Sequence, residues 1–311
     1  EDPLKIACDV VHGLGLKFFA SYRRMTCRMP PFIFPLHPEA LFFKRRDLWC
    51  ADETSAPVPH LSLAQPEVRA RMVALLAEQA ENYDIDGVHL YFSRGMPFVF
   101  FEEPFLAEFR RAHGTDPRGL PLDDRRVWEV RSRFVLMLLR ELRAALDAAG
   151  RRRGRRLEVA MHVAASMQAS AFYGLDAAAM ARERLVDILL PDHAHFLPEA
   201  LPDAKAICAT PEHVAEFADA LRGTGVRLMP VCGRGPNYAP DSMTLGQRAA
   251  AFYRAGADGL HWYSTPVGAR MGHLDELDRV DARASEGRRL VRIRSFAGMR
   301  IDMNYGLPTC G

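Results

Sequence analysis

Hydrophobic positions along this chain follow two alternating periods. Stretches with apolar residues three and four apart predict helices at residues 2–13, 66–82, 125–149, 177–185, 211–222 and 244–255. Pro66-Glu67 makes a favourable first turn, and Phe134, Leu138, Leu142 and Leu146 share one face of the long third helix. Short apolar runs bounded by Gly, Pro, Asp and charges predict strands at 16–21, 87–92, 157–163, 187–191, 226–231 and 259–264. One strand pattern occurs twice, as Asp86-Gly87-Val88-His89-Leu90-Tyr91 and as Asp258-Gly259-Leu260-His261-Trp262-Tyr263. Each copy follows an amphipathic helix and a short turn, and each opens into a polar loop containing proline.

Strand-helix alternation without a cluster of hairpin signals predicts a parallel sheet, and the repeating unit is that of an α/β protein of the (β/α)8 TIM-barrel kind. About six strands are found where a closed barrel needs about eight. The chain opens in what reads as the middle of a helix, so the first two strands are expected upstream of Glu1 or lost. No linker rich in Gly, Ser or Pro divides the chain, which predicts a single barrel domain over 1–311 with a long irregular insertion at about 28–63. Insertions of that length commonly line or cover a site. Alternate strand residues share a face, so His89 with Tyr91, and His261 with Tyr263, point the same way. If that face is the barrel interior, two His-Tyr pairs stand near the catalytic mouth.

Composition narrows the function classes. Hydrophobic residues make up 49% of the 311, enough for a sizeable core, and no run is long and apolar enough to span a membrane. A formal charge of +2 gives no general reason to expect nucleic acid or a membrane as partner. The basic run at 151–156 lies between a helix and a strand, and reads as a solvated connection rather than a phosphate patch. Cys8, Cys27, Cys50, Cys208, Cys232 and Cys310 form no CxxC pair, so zinc spacing is absent and a disulfide framework stays open. Gly233-Arg234-Gly235-Pro236-Asn237-Tyr238 lacks the Lys-Ser/Thr of a phosphate loop, and no cofactor is expected. No signal peptide is recognised, which leaves export and a cytoplasmic location both open.

Four segments follow one another along the chain: Gly15-Leu16-Lys17-Phe18-Phe19-Ala20-Ser21, His37-Pro38-Glu39, Gln65-Pro66-Glu67-Val68-Arg69 and Tyr83-Asp84-Ile85-Asp86-Gly87-Val88-His89-Leu90. In this order they resemble the bacterial family-10-like glycosyl hydrolases. Val186-Asp187-Ile188-Leu189-Leu190-Pro191 and Asp258-Gly259-Leu260 resemble that family's sixth and eighth strands. The resemblance runs from about Gly13 to Pro266 and implies a barrel acting on an oligo- or polysaccharide, with the first strand here as the family's third. Many relatives carry Asp where this chain has Tyr91, which removes a carboxylate from the mouth of the fourth strand.

Glycoside hydrolysis commonly uses two carboxyl groups flanking the scissile bond. Asp86 and Asp258 lie at strand entries, where they are expected to cap turns. Glu102 follows the aromatic run Phe98-Val99-Phe100-Phe101, beside Glu103, and an apolar wall would suit it to act as general acid. The competing reading is an N-capping pair for a helix starting at Pro104. Asp192, directly after the sixth family strand, is the second catalytic candidate, and Asp241 a weaker one. Asp192 with His193 and His195 also has the ligand types of a metal-dependent hydrolase or deacetylase. Arg23, His89, Tyr91, Arg94, His162, His193, His261 and Tyr263 are the expected substrate-binding residues, against the alternative that the histidines are satisfied core groups and the arginines ion-paired. Arg24 ends the same strand as Arg23. Trp262 falls on the opposite face from His261 and is expected to pack under a helix. A barrel that binds sugar without turnover is the remaining alternative.

Overall fold

A computed structural model describes residues 2–23, 41–92, 98–121, 123–192, 209–233, 245–262 and 293–294. Helix α1 (Pro3–Gly13) begins at its own cap, because the Asp2 carboxylate accepts from the Leu4 and Lys5 amides and Pro3 occupies the first turn. The expectation that the chain opens in mid-helix is therefore corrected. Strand β1 (Phe19–Arg23) follows. Residues 41–61, expected to be irregular, hold α2 (Leu41–Lys44), a 3-10 turn (Arg46–Leu48) and an antiparallel hairpin of β2 (Trp49–Ala51) and β3 (Pro57–Leu61).

The regular alternation then begins. Helix α3 (Pro66–Asn82) leads to β4 (Gly87–Tyr91), then α4 (Glu103–His113) and the long α5 (Arg125–Arg153). Strand β5 (Glu158–Val163) is followed by α6 (Met167–Phe172), α7 (Ala177–Arg182) and β6 (Ile188–Pro191). Helix α8 (Pro211–Leu221) precedes β7 (Arg227–Leu228) and β8 (Val231–Gly233), and α9 (Leu245–Arg254) precedes β9 (His261–Trp262). The short β10 (Ile293–Arg294) completes the order.

The central sheet is parallel, with five strands in the order β1-β4-β5-β6-β7. A second parallel sheet, β8-β9-β10, continues from it across Met229-Pro230. There Met229 N–H donates to Leu189 on one side, and Pro230 accepts from His261 on the other. The strands thus neighbour one another in chain order, as barrel staves do, while no pairing among the described residues joins β10 to β1.

Side chains divide between the two sheet faces. Val88, Leu90, Val159, Met161 and Leu189 join the main core with the apolar faces of α3 and α5. On the other face Ala160, Ile188, Leu190 and Met229 form a separate small cluster with Phe19 against it. Gly87 is obligatory here, since a Cβ would stand 2.3 Å from the Glu158 carbonyl oxygen and 2.7 Å from the Phe19 ring. Trp262 packs against the main core, as its strand parity predicts.

Three strand entries share one device. Asp86 donates its N–H to the Phe18 carbonyl at 2.8 Å and accepts the Phe18 N–H on its carboxylate at 2.8 Å. Asp187 brackets Val159 in the same way, at 2.8 and 2.8 Å, and Asp258 brackets Leu228, at 2.8 and 2.9 Å. Each aspartate thereby supplies the acceptor for an amide at the sheet's lower end, and fixes its strand against the preceding one. Arginines of the 151–156 run serve these carboxylates: Arg155 pairs with Asp84 and Asp86, and Arg156 with Asp187. Among the described residues no helix is long and apolar enough to cross a membrane.

Candidate functional site

The strand registry carries several chemically capable side chains to one place at the C-terminal ends of β1, β4, β5, β6 and β9. His89 is three residues beyond the Asp86 bracket and His261 three beyond the Asp258 bracket. Tyr91 and Asp192 each stand five beyond, after Asp86 and Asp187. Because inward positions recur every second residue, these odd offsets put all four on the face opposite the helices.

His162 is the hub. Its ring centre lies 4.8 Å from His89, 4.8 Å from His261 and 4.6 Å from Tyr91. Its Nδ1 is 3.0 Å from Asp192 Oδ2, so the imidazole donates there and its tautomer is set by the carboxylate. The Tyr91 hydroxyl donates to the same Asp192 oxygen at 3.5 Å. Asp192 is itself held by its own N–H, which donates to the Val163 carbonyl at 2.9 Å. All of these side chains are buried.

Ser21 and Arg23 approach from β1. Ser21 Oγ lies 2.9 Å from His89 Nδ1, and the buried His89 Nε2 has no hydrogen-bond partner among the described residues. Burial pushes His89 well below the ordinary histidine range; the neighbouring His162 and His261 act in the same direction, against the pull of Asp192. His89 is therefore a neutral imidazole with one nitrogen committed to Ser21. The Arg23 guanidinium stands 5.8 Å from the centre of the Tyr91 ring, where cation and π face attract.

Glu102 lies in a different setting. Its carboxylate, buried at the N-cap of α4, accepts from the Ser62 hydroxyl, from Phe100 N–H at 3.1 Å and from Ala51 N–H at 3.4 Å. It thus ties the β2–β3 hairpin to the segment before α4, and none of these bonds leads to Asp192. Burial raises its carboxyl above the usual range, and the bonds from Ser62, Phe100 and Ala51 pull the other way. Nearby, Arg131 of α5 is fully enclosed by the rings of Phe100, Phe101 and Phe172, at 5.4, 5.8 and 5.6 Å, and donates to the Phe172 carbonyl. Desolvation brings Arg131 down to about 10, with the charge of Glu102 opposing.

Of the expected site residues, the structure brings together Arg23, His89, Tyr91, His162, Asp192 and His261. It places Glu102 in the hairpin junction. Arg94, His193 and Tyr263 lie outside the described residues, as do Arg24, His195 and Asp241. Among the described residues no group of three or more His, Cys, Asp or Glu side chains is arranged to hold a metal ion. Sequence reasoning did not single out Ser21, Ser62 or Arg131. Ser21 was available, because it shares a strand face with Arg23; the other two meet Glu102 only through tertiary packing.

No family model matches the chain, and no curated protein matches it. Solved structures do. The C-terminal domain of a candidate chitinase from Desulfitobacterium hafniense DCB-2 aligns at 15% identity and TM-score 0.37, over 73% of this chain and 49% of that one. A glycoside hydrolase family 18 N-acetylglucosaminidase from Paenibacillus barengoltzii aligns at 18% identity and TM-score 0.32, over 54% of this chain and 45% of the other. Alpha-L-fucosidase isoenzyme 2 from Paenibacillus thiaminolyticus aligns at 13% identity and TM-score 0.37, over 90% and 53%. The chain spans about half the length of each of these proteins. Similarity at this level assigns no residue of theirs to this chain.

Proposed function

We propose that this chain hydrolyses glycosidic bonds of an oligo- or polysaccharide at the C-terminal ends of its parallel strands, with Asp192 as the working carboxyl. The observation that carries the reading is the convergence of Asp192, His162, Tyr91 and His89 from three strands onto one buried polar cluster. Such a position, at the carboxyl ends of parallel strands, is where this architecture does chemistry. The resemblance to family-10-like glycosyl hydrolases supplies the substrate class.

In this reading Asp192 accepts and returns protons, and the bond from His162 holds it in place. His89 and His261 hydrogen-bond sugar hydroxyls, Arg23 borders the cleft, and Arg94, His193 and Tyr263 belong to the lining that continues from it. Glu102, the partner that a paired-carboxylate scheme would ask for, is assigned the hairpin junction, because its carboxylate is occupied by three donors.

Asp192→Asn and Glu102→Gln, assayed beside the wild type on a glycan panel, test the assignment. Loss of turnover in the first with turnover kept in the second supports it; the reverse refutes it. A second reading, binding without turnover, is favoured by one observation: Asp192 is the single carboxylate in the cluster among the described residues. Glycan binding by calorimetry with no product at any pH would establish that reading instead.

A further inference from the structure

We propose that Tyr91 is the nucleophile of this site, with its phenolic proton taken by Asp192. The inference rests on the hydrolase reading above and deepens it. A double displacement at a sugar needs a group that bonds the anomeric carbon as well as one that moves protons. Asp192 fills the second role, and Glu102 is held elsewhere. Tyr91 has what the first role requires. Its hydroxyl donates to Asp192 Oδ2 at 3.5 Å, a separation that suits a nucleophile and base before substrate is bound.

The base has its own orienting group, since His162 Nδ1 stands 3.0 Å from the same oxygen. Nucleophile, base and orienter therefore form one chain of contacts, the arrangement that activates a weak hydroxyl. Arg23 adds a fourth element. Its guanidinium, 5.8 Å from the ring centre, stabilises negative charge as it develops on the phenol. His162 against the ring, at 4.6 Å, keeps the phenol from swinging away.

The step balances as follows. Tyr91 Oη bonds the anomeric carbon, the bond from that carbon to the leaving oxygen breaks, and the phenolic proton passes to Asp192. The leaving oxygen takes a proton from water. In the second half Asp192, having released its proton to solvent, accepts one from an incoming water. That water's oxygen bonds the anomeric carbon, the bond to Tyr91 breaks, and the phenolate regains a proton from Asp192. The net change is hydrolysis with retention of configuration.

The test uses the full chain and 4-methylumbelliferyl glycosides of neutral, amino and acidic sugars, whose leaving group needs little acid assistance. For the sugar that turns over, the corresponding 5-fluoro glycosyl fluoride is added and the protein digested for mass spectrometry. The expected result is one fluorosugar on the peptide containing Tyr91. Tyr91→Phe, folded by circular dichroism, should lose the label and on the order of a thousandfold or more in kcat, with KM little changed. Label on Asp192 or any other residue, an inverted product, or wild-type turnover in Tyr91→Phe would overturn the proposal while leaving the hydrolase reading intact. No turnover of any glycoside overturns both.

Discussion

Removing the Glu102 carboxylate separates a structural role from a catalytic one. Glu102→Ala orphans the Phe100 and Ala51 amides and frees the Ser62 hydroxyl, with Ser62 fully buried and the two amides half-buried. An unsatisfied buried donor costs about 1–3 kcal/mol, and a hydroxyl that can turn costs least. Arg131 also loses the main negative charge opposing its burial. Removal of a poorly solvated carboxylate offsets part of this, leaving a net loss of about 3 kcal/mol. At this chain length that lowers the melting midpoint by roughly 4–6 °C. Glu102→Gln keeps one acceptor oxygen but turns an NH2 toward a donor, at a cost of about 1–2 kcal/mol.

The pH dependence has a definite sign. Burial raises the carboxyl above its ordinary value of 4.5, so the folded chain holds a proton that the unfolded chain releases. This contribution is full below 4.5 and is lost as pH rises through the folded value. Glutamine does not titrate, so the stability gap between wild type and Glu102→Gln should narrow as pH rises from 4.5, measured by urea unfolding at several pH values. A gap that widens, or an alanine variant within about 0.5 kcal/mol of wild type, would refute the reasoning. A glutamine variant that is fully folded yet inactive would return Glu102 to the chemistry.

Other perturbations report on the site and the sheet. His89 should stay neutral well below 6.5, contributing stability that is present above 6.5 and lost as pH falls toward its depressed value. Nitrogen-15 NMR of the ring checks this, and a midpoint near 6.5 would contradict it. Gly87→Ala places a Cβ 2.3 Å from a backbone oxygen that cannot turn aside, and is expected to cost about 3 kcal/mol in denaturant unfolding. Asp258→Ala removes the acceptor of the Leu228 amide, for about 1–2 kcal/mol and faster hydrogen exchange at that amide. Unchanged exchange would mean that the bracket does not hold the strand.

Periodicity made much of the alternation readable, because strand and helix spacing are local properties. Helix α3 falls where the pattern places it, at Pro66–Asn82, and β5 and β6 lie within a residue of expectation at their starts. The hairpin is hidden from the pattern: Pro57 and Pro59 demote β3 as a strand, β2 is only three residues long, and the register shifts between Trp49 and Cys50. Helix α6 is a six-residue segment capped by Ser166, too short for a period to show. At the site, strand parity alone groups His89 with Tyr91. Glu102 was read from its neighbours in sequence, but the Ser62 that binds it is forty residues away. Asp86 and Asp258 read as turn-capping residues at strand entries, whereas Asp187 reads only as the first residue of its strand, 187–191, with nothing in the sequence to mark its bond to Val159.

The aspartate brackets bear on how such a protein can change over time. Strands β4, β6 and β9 take their reference from the lower rim, through Asp86, Asp187 and Asp258, so the loops leaving their upper ends carry less of the work of positioning them. A loop leaving the top of β4 or β6 can therefore lengthen, shorten or change composition without displacing its neighbours. New specificity can be explored there at little risk to the fold, because strand placement is secured at the opposite end of the molecule.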